Sequence, residues 1–192
     1  MDIRNFFFKY RSYTPIPIGV MIIYFARPEN AFLLFGISLL LIGEFIRIWA
    51  VSYAGGETRT RNVGAPALCS SGPYAFVRNP LYVGNMLMYV GLVMIAGAAN
   101  VWLMAATTFS FFLIQYSLII SLEEETLDKL FGPEYLDFKA NVPVIFPRLS
   151  PWNNPDTRVR SGIMKTIKTE KRTLQNVSFV LILITLRIQF FS

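Results

Sequence analysis

Five apolar stretches alternate with polar connections along the 192-residue chain. They comprise residues 16–26, 31–52, 81–99, 101–122 and 177–191. A helix needs about 20 residues to cross the hydrocarbon core of a bilayer, so the second, third and fourth stretches are long enough to span it. The first and the last are shorter. The pattern predicts an all-α, polytopic integral membrane protein with about five membrane-embedded helices.

The connections predict how these helices are arranged. Residues 27–30 and residues 97–100 are too short for anything but tight turns, so each predicts a helical hairpin. Of the 18 Lys and Arg residues, 15 fall in residues 1–15, 53–80 and 123–176. Only Arg27 lies in the opposite set of connections. Because basic residues accumulate on the cytosolic side, the N-terminus and both longer connections are predicted to be cytosolic.

Two units are predicted along the chain. Residues 1–149 would form the membrane core. Residues 150–176 are polar and contain Pro151 and Pro155, as is typical of a linker. Residues 150–192 would therefore be a polar linker followed by a C-terminal membrane helix.

Composition supports a membrane protein and excludes several kinds of chemistry. Charged residues make up 16 % of the chain, well below the roughly one quarter of soluble domains. The net charge of +6 is explained by anionic membrane lipids and does not require nucleic acid. The chain has no histidine and one cysteine, Cys69, which excludes a Ser-His-Asp triad and His-ligated or multi-Cys metal sites. No metal is therefore expected.

The first candidate site is residues 71–84, where the second cytosolic connection enters the third apolar stretch. Gly72-Pro73 is a turn signal, and Pro80 suits the first position of a helix with Asn79 as its N-cap. The segment could simply be a well-capped helix start with aromatic anchors at the interface. Alternatively, Arg78 and the free amides of the helix start could bind a carboxylate.

The second candidate site is Glu123-Glu124-Glu125, directly after the fourth apolar stretch. These carboxylates could be a solvated helix end, or at least one could bind a cationic or hydroxyl-rich ligand. The hairpin at residues 97–100 makes the third and fourth helices antiparallel neighbours. Residues 78–82 and 123–125 are therefore predicted to lie side by side.

Two further patterns leave alternatives open. Phe131, Tyr135 and Phe138 follow a helical spacing, which predicts either an amphipathic helix on the membrane surface or a lid over a site. Glu44 and Arg47 are three positions apart within the second stretch, and such intramembrane charges are costly. They are predicted to form a mutual ion pair or to line a site.

Taken in this order, the motifs resemble the isoprenylcysteine carboxyl methyltransferase and phospholipid methyltransferase superfamily of integral membrane enzymes. The resemblance covers residues 55–148. The matching residues are Gly72, Tyr74, Arg78, Asn79, Pro80 and Tyr82 in the first motif, Glu123, Glu124, Leu127, Phe131, Gly132, Tyr135 and Phe138 in the second, and Val142, Pro143 and Pro147 in the tail. Asn79 stands where many members have His, and Val144 replaces the tail Arg.

This resemblance implies a cytosol-facing pocket for S-adenosylmethionine and the residues around it. Its methionine end would be bordered by Arg78, Asn79, Pro80 and Tyr82, and its nucleoside by Leu68, Gly72 and Tyr74. The carboxylates of Glu123 and Glu124 would hold its hydroxyl or ammonium groups.

The resemblance also implies a lipid-like or prenylcysteine-type acceptor. If the acceptor is a carboxylate, no strong base is required, and Arg59 and Arg61 could position it. If it is a phospholipid amine, Glu123 or Glu124 is the candidate base. Two other functions remain as alternatives, an NADPH-dependent membrane sterol or lipid reductase and a non-catalytic membrane scaffold.

Overall fold

The computed structural model describes residues 2–27, 30–55, 63–154 and 156–191. Within them the chain forms α-helices and a short 3-10 helix, without strands, so the all-α prediction is confirmed. The helices are α1 (Ile3–Tyr10), α2 (Ile16–Tyr24), α3 (Asn30–Ala54), α4 (Pro80–Ala96), α5 (Val101–Phe131), α6 (Pro133–Asn141) and α7 (Ile163–Phe191), and the 3-10 helix is Gly72–Ala75.

Three of the described helices, α3, α5 and α7, are long and apolar enough to cross a membrane. The chain is therefore an integral membrane protein, with about three helices of full spanning length among those described and shorter helices in the other apolar stretches. The third apolar stretch forms a helix of 17 residues, about 25 Å long, because Gly97 ends it with a φ of 60°. The first apolar stretch forms only a short helix, the nine-residue α2.

Two helices extend beyond their apolar stretches. The α5 helix continues to Phe131, so the three adjacent glutamates lie on its last turns rather than after it. The α7 helix begins at Ile163, inside the segment whose composition is typical of a linker. It packs on α3 and α2 and buries Thr166, Glu170 and Ile184.

Helices α3 and α4 touch backbone to backbone. A Cβ atom added to Gly43 would lie 2.6 Å from the carbonyl oxygen of Gly84, and one on Gly36 would lie 2.8 Å from that of Gly91. Small residues allow membrane helices to approach this closely, and dispersion contacts then hold them together. The contact fixes α4, which begins at Pro80, against the helix that carries Arg47.

The predicted hairpin of α4 and α5 is present. Aromatic rings join the two helices along their length: Tyr82 stacks on Tyr116 with ring centroids 4.4 Å apart, and the rings of Tyr89 and Phe112 are 4.3 Å apart. The start of α4 therefore lies beside the end of α5, as the sequence predicts.

The N-terminal helix α1 packs against α5. Arg4 lies 3.1 Å from Glu125, so the N-terminus is on the same side of the bundle as the glutamates.

The Arg47 side chain is buried and pairs with Glu170 of α7 at 2.6 Å. The sequence-based interpretations, a pair with Glu44 or a place in a site, both omitted this partner. Glu170 lies in a polar segment that gave no signal of burial, and tertiary packing alone brings it to Arg47.

Candidate active site

The two sequence motifs meet through Arg78. Its Nε and Nη2 atoms donate to Oε1 of Glu124 at 3.0 and 2.9 Å. Its Nη1 atom donates to the carbonyl oxygens of Lys139, at 3.0 Å, and Val142. The Arg78 side chain is only 8 % exposed. We call this arrangement the Arg78 clamp, because one guanidinium joins the start of α4, the end of α5 and the end of α6.

The tail after α6 runs along the first motif. Three backbone hydrogen bonds of 2.9 Å join them, from Arg78 N to Pro143 O, from Arg148 N to Phe76 O and from Trp152 N to Ala75 O. Residues 143–152 thus cover the entry to α4 and hold the 3-10 helix in place.

Asn79 occupies the N-cap position of α4, and Pro80 is its first residue, as predicted. The Asn79 side chain, however, makes no capping hydrogen bond. Instead, its Nδ2 atom donates to the carbonyl oxygen of Val144 at 3.2 Å, because the tail brings that carbonyl within reach. The predicted N-cap position of Asn79 is confirmed, but its side chain does not satisfy a first-turn amide of α4.

The three adjacent glutamates have three different environments. The Tyr82 hydroxyl donates to the carboxylate of Glu123, 3.0 Å from each oxygen, and Arg11 approaches the same carboxylate at 3.9 Å. Glu124 belongs to the Arg78 clamp. Glu125 points outward and pairs with Lys129 at 2.7 Å, as well as with Arg4. Glu123 and Glu124 therefore face the first motif and Glu125 does not.

An aromatic cluster lies beside the clamp. Its buried members are Tyr135, Phe138 and Val142, and the partly buried residues packed against them are Leu68, Tyr74, Leu127, Phe131 and Trp152. Phe131 ends α5 and Gly132, with a φ of 51°, separates it from α6, so the three motif aromatics do not share one continuous helix. They nevertheless meet in this cluster, where α6 packs on the protein rather than only on a membrane surface.

Asp156 holds the loop that carries Leu68. Its carboxylate accepts hydrogen bonds from Ser70 N at 3.0 Å, Ser71 Oγ at 3.0 Å and Arg158 N at 3.0 Å. Burial alone would raise the pKa of Asp156, but these bonds and the Arg158 charge outweigh it and hold the pKa below its ordinary value. Arg158 also donates to Leu68 O at 3.0 Å.

The structure brings together nearly all the residues that the sequence proposed for the site. Gly72, with a φ of 59°, opens the 3-10 helix, and a Cβ atom there would lie 2.6 Å from the Tyr53 ring. Arg59 and Arg61 lie outside the described residues. Among the residues that the structure does describe, no three His, Cys, Asp or Glu side chains form a group that could hold a metal ion.

Sequence reasoning missed several residues that contact the site. They are Arg11, Tyr116, Trp152 and Asp156, and connected to the site through Tyr116 and Arg47 are also Asn85 and Glu170. Asn85 lies three positions after Tyr82, on the same face of α4, and this spacing was a usable signal. The others depend on contacts between segments far apart in sequence.

Comparison with known proteins agrees with the motifs. The sequence profile named phospholipid methyltransferase matches residues 31–134. The cobalt-zinc-cadmium resistance protein CzcN of Cupriavidus metallidurans is 33 % identical over 122 residues, which cover 64 % of this chain and 50 % of that protein.

Protein-S-isoprenylcysteine O-methyltransferase of Rattus norvegicus is 32 % identical over 117 residues, 58 % of this chain and 40 % of that protein. Protein-S-isoprenylcysteine O-methyltransferase B of Arabidopsis thaliana is 28 % identical over 114 residues, 57 % of this chain and 56 % of that protein. The chain spans about half the length of the curated relatives it matches. No solved structure matches it significantly. Because the family profile covers more than half of the chain and both of its motifs meet in one site, the protein belongs to the phospholipid methyltransferase family of membrane methyltransferases.

Proposed function

We propose that this protein transfers a methyl group from S-adenosylmethionine to the carboxylate of a lipid-like or prenylcysteine-type acceptor at the membrane surface. The observation that carries the proposal is the meeting of two motifs in one site, through Arg78 with Glu124 and Tyr82 with Glu123. The family profile and the two isoprenylcysteine methyltransferase relatives support the reaction type.

The residues of the site fit the chemical groups of S-adenosylmethionine. Leu68 and Tyr74, at the edge of the aromatic cluster, offer apolar faces for an adenine ring. The Glu123 carboxylate can accept hydrogen bonds from ribose hydroxyls or from an ammonium group. At the start of α4 the Leu81 N–H, which the Asn79 side chain does not cap, can donate to a carboxylate. Gly72 and Pro80 contribute backbone shape rather than polar contacts.

Arg78 has a different role in our proposal from the one that its sequence position suggests. All three of its nitrogen atoms already donate to Glu124 or to backbone carbonyls. A cofactor carboxylate would have to share the guanidinium with Glu124. We therefore assign Arg78 to holding α4, α5 and α6 together around the pocket, and Glu124 to orienting Arg78.

Bound S-adenosylmethionine supplies an electrophilic methyl group on a sulfonium. When a carboxylate accepts that methyl group, both charges disappear together and no base is needed. The contribution of this chain is then alignment and exclusion of water by the aromatic cluster and the clamp. Arg11 is a described cation near Glu123 that can position an anionic acceptor, and Arg59 remains a second candidate.

A second candidate reaction is N-methylation of a phospholipid amine. One observation favours it: the Tyr82 hydroxyl holds the Glu123 carboxylate in a fixed position, where it could take a proton from an attacking amine. The reductase and scaffold alternatives have less support, because the family is one of methyltransferases.

The experiment compares acceptors and cofactors with one purified sample. Tritiated methyl transfer is measured to a prenylcysteine analogue, to phosphatidylethanolamine and to a total lipid extract. Calorimetry measures binding of S-adenosylhomocysteine and of NADPH. We expect binding of S-adenosylhomocysteine and methylation of the prenylcysteine analogue. Binding of NADPH alone would refute the proposal, and methylation of phosphatidylethanolamine alone would select the amine reaction.

A matched pair of variants tests the site. Glu123→Gln should weaken binding of S-adenosylhomocysteine about 10- to 100-fold, as expected for loss of a charge-assisted hydrogen bond. Glu125→Gln makes the same chemical change on the outward side of α5 and should leave the affinity unchanged. Equal effects of the two variants would place the pocket elsewhere.

We further propose that the N-terminus and the site face the cytosol. The basic connections and the shared side of α1 and the clamp support this orientation. In a Cys69→Ser background, Asp137→Cys should react with a membrane-impermeant maleimide only after the membrane is opened, whereas Ala99→Cys should react from outside. The reverse pattern would overturn the orientation.

A further inference from the structure

A continuous set of contacts connects the C-terminal helix to Glu123. It begins with Arg47, whose Nη2 atom donates to Oε2 of Glu170 at 2.6 Å and to Oγ1 of Thr173 at 3.1 Å. The Nη1 atom of Arg47 donates to Oδ1 of Asn85 at 2.5 Å. A single guanidinium thus joins α3, α4 and α7.

The contacts continue from Asn85 to the site. Nδ2 of Asn85 donates to the hydroxyl of Tyr116 at 3.0 Å. The Tyr116 ring stacks on the Tyr82 ring, with centroids 4.4 Å apart and planes 24° apart. Tyr82 in turn donates its hydroxyl to Glu123. The position of the Tyr82 ring therefore depends on groups that lie away from the site.

The burial of the Arg47–Glu170 pair argues against a role in stability alone. The side chains of Arg47 and Glu170 are 9 % and 1 % exposed. Burying two charges costs desolvation energy that their attraction only partly offsets, and an apolar pair of similar volume often stabilises a protein equally well. Ionisable groups within membrane helices are typically functional.

We propose that Glu170 is a positioning residue for the methyl-transfer site. It fixes Arg47, which fixes Asn85 and the Tyr116 ring, and this ring holds Tyr82 where its hydroxyl orients the Glu123 carboxylate. The inference rests on the proposed function, because it takes Glu123 to be part of the cofactor site. It makes α7, which lies outside the residues matched by the family profile, a working part of this enzyme.

The test separates positioning from stability. The variant Arg47→Met/Glu170→Leu removes both charges and leaves no unpaired charge; only the neutral oxygens of Asn85 and Thr173 lose a donor, so its melting temperature should stay close to that of the wild type. Its affinity for S-adenosylhomocysteine, measured by calorimetry, should fall roughly tenfold. The control is Thr169→Val, also on α7, where the hydroxyl donates to Lys165 O within its own helix. This control should bind normally.

A double-mutant cycle shows whether the effect passes through Tyr82. In a Tyr82→Phe background, the hydroxyl that orients Glu123 is gone, so the Arg47→Met/Glu170→Leu change should alter the affinity less than about twofold. A loss that is equally large in both backgrounds would overturn the proposal.

A second variant decides the matter if the double variant does not fold. Tyr116→Phe keeps the stacked ring and removes only the hydroxyl that accepts from Asn85. We expect at least about a threefold loss of affinity with an unchanged melting temperature, and wild-type affinity would refute the positioning role. If the wild-type protein itself fails to bind S-adenosylhomocysteine, the proposed function fails. If it binds and the variants bind equally well, only the role of Glu170 fails.

Discussion

The Arg78 clamp allows a stability prediction whose size follows from its geometry. Arg78→Ala removes two charge-assisted hydrogen bonds to Glu124 and leaves two carbonyl oxygens of α6 and the tail without this donor. Truncating one partner of a buried pair costs about 3–5 kcal/mol. Glu124 is 19 % exposed and has Lys139 at 3.9 Å, so partial solvation places the cost near the lower limit, at about 3 kcal/mol.

This cost should appear in thermal unfolding in detergent micelles. For a chain of this size, about 3 kcal/mol lowers the melting temperature by about 6–12 °C. Arg78→Lys keeps the charge but loses the planar fork, and it should recover only part of the loss. The matched control is Lys129→Ala, which breaks the exposed pair with Glu125 and should change little.

A double-mutant cycle completes the assay. Once Arg78 is replaced by Ala, the further change Glu124→Gln should cost little, because their shared interaction is already lost. If Arg78→Ala is no more harmful than Lys129→Ala, the guanidinium is not held by Glu124. Arg78 would then be available to bind a cofactor carboxylate directly, and our assignment of it as a clamp would be refuted.

Two further predictions concern other parts of the molecule. Gly43→Ala should lower the free energy of unfolding by about 1–3 kcal/mol, because its Cβ atom would lie 2.6 Å from the backbone oxygen of Gly84. Gly19→Ala, where nothing lies within 4 Å, should be neutral or stabilising, and thermal unfolding that ranks the two variants the other way would contradict the close contact. Asp156→Asn should lower the melting temperature near pH 7. Because the folded pKa of Asp156 lies below its ordinary value of 3.8, its contribution is complete above that value and is lost as the pH falls through the folded pKa. The difference from wild type should therefore be constant from about pH 7 to 5 and shrink below about pH 4, whereas a difference that grows with acidification would contradict it.

The sequence predicts the part of the fold that local signals control. The short turn at residues 97–100 predicts the antiparallel pair α4 and α5, and Gly97 ends α4 as such a turn requires. The number of helices long enough to span a membrane was harder to predict, because apolar composition alone does not show at which residue a helix ends. The start of α7 at Ile163 was missed for a related reason. The mean polarity of this segment is high, and it conceals the one helix face that buries Thr166 and Glu170.

In the site, too, local signals predict some contacts, whereas others depend on packing between distant segments. The hairpin brings Arg78 to Glu124 and Tyr82 to Glu123, and both encounters follow from chain connectivity alone. The N-cap position of Asn79 was predictable, but the hydrogen bond from its side chain to the carbonyl oxygen of Val144 in the tail was not. Asp156 reaches the loop that carries Leu68 across 86 positions of sequence, a contact that no local pattern encodes.

The ion pair between Arg47 and Glu170 also has a consequence for biogenesis, because its members are 123 positions apart in sequence. At about 5–20 residues per second, a ribosome needs roughly 6–25 s to add the second after the first. During that interval Arg47 enters the membrane without its carboxylate, at an insertion cost of about 2.5–3.5 kcal/mol for a deeply placed charge. Insertion of α7 ends that state, so a helix synthesised later neutralises a charge placed 123 positions earlier. A nascent chain that stalls before Glu170 therefore lacks the carboxylate that pairs with Arg47 at 2.6 Å in the folded protein.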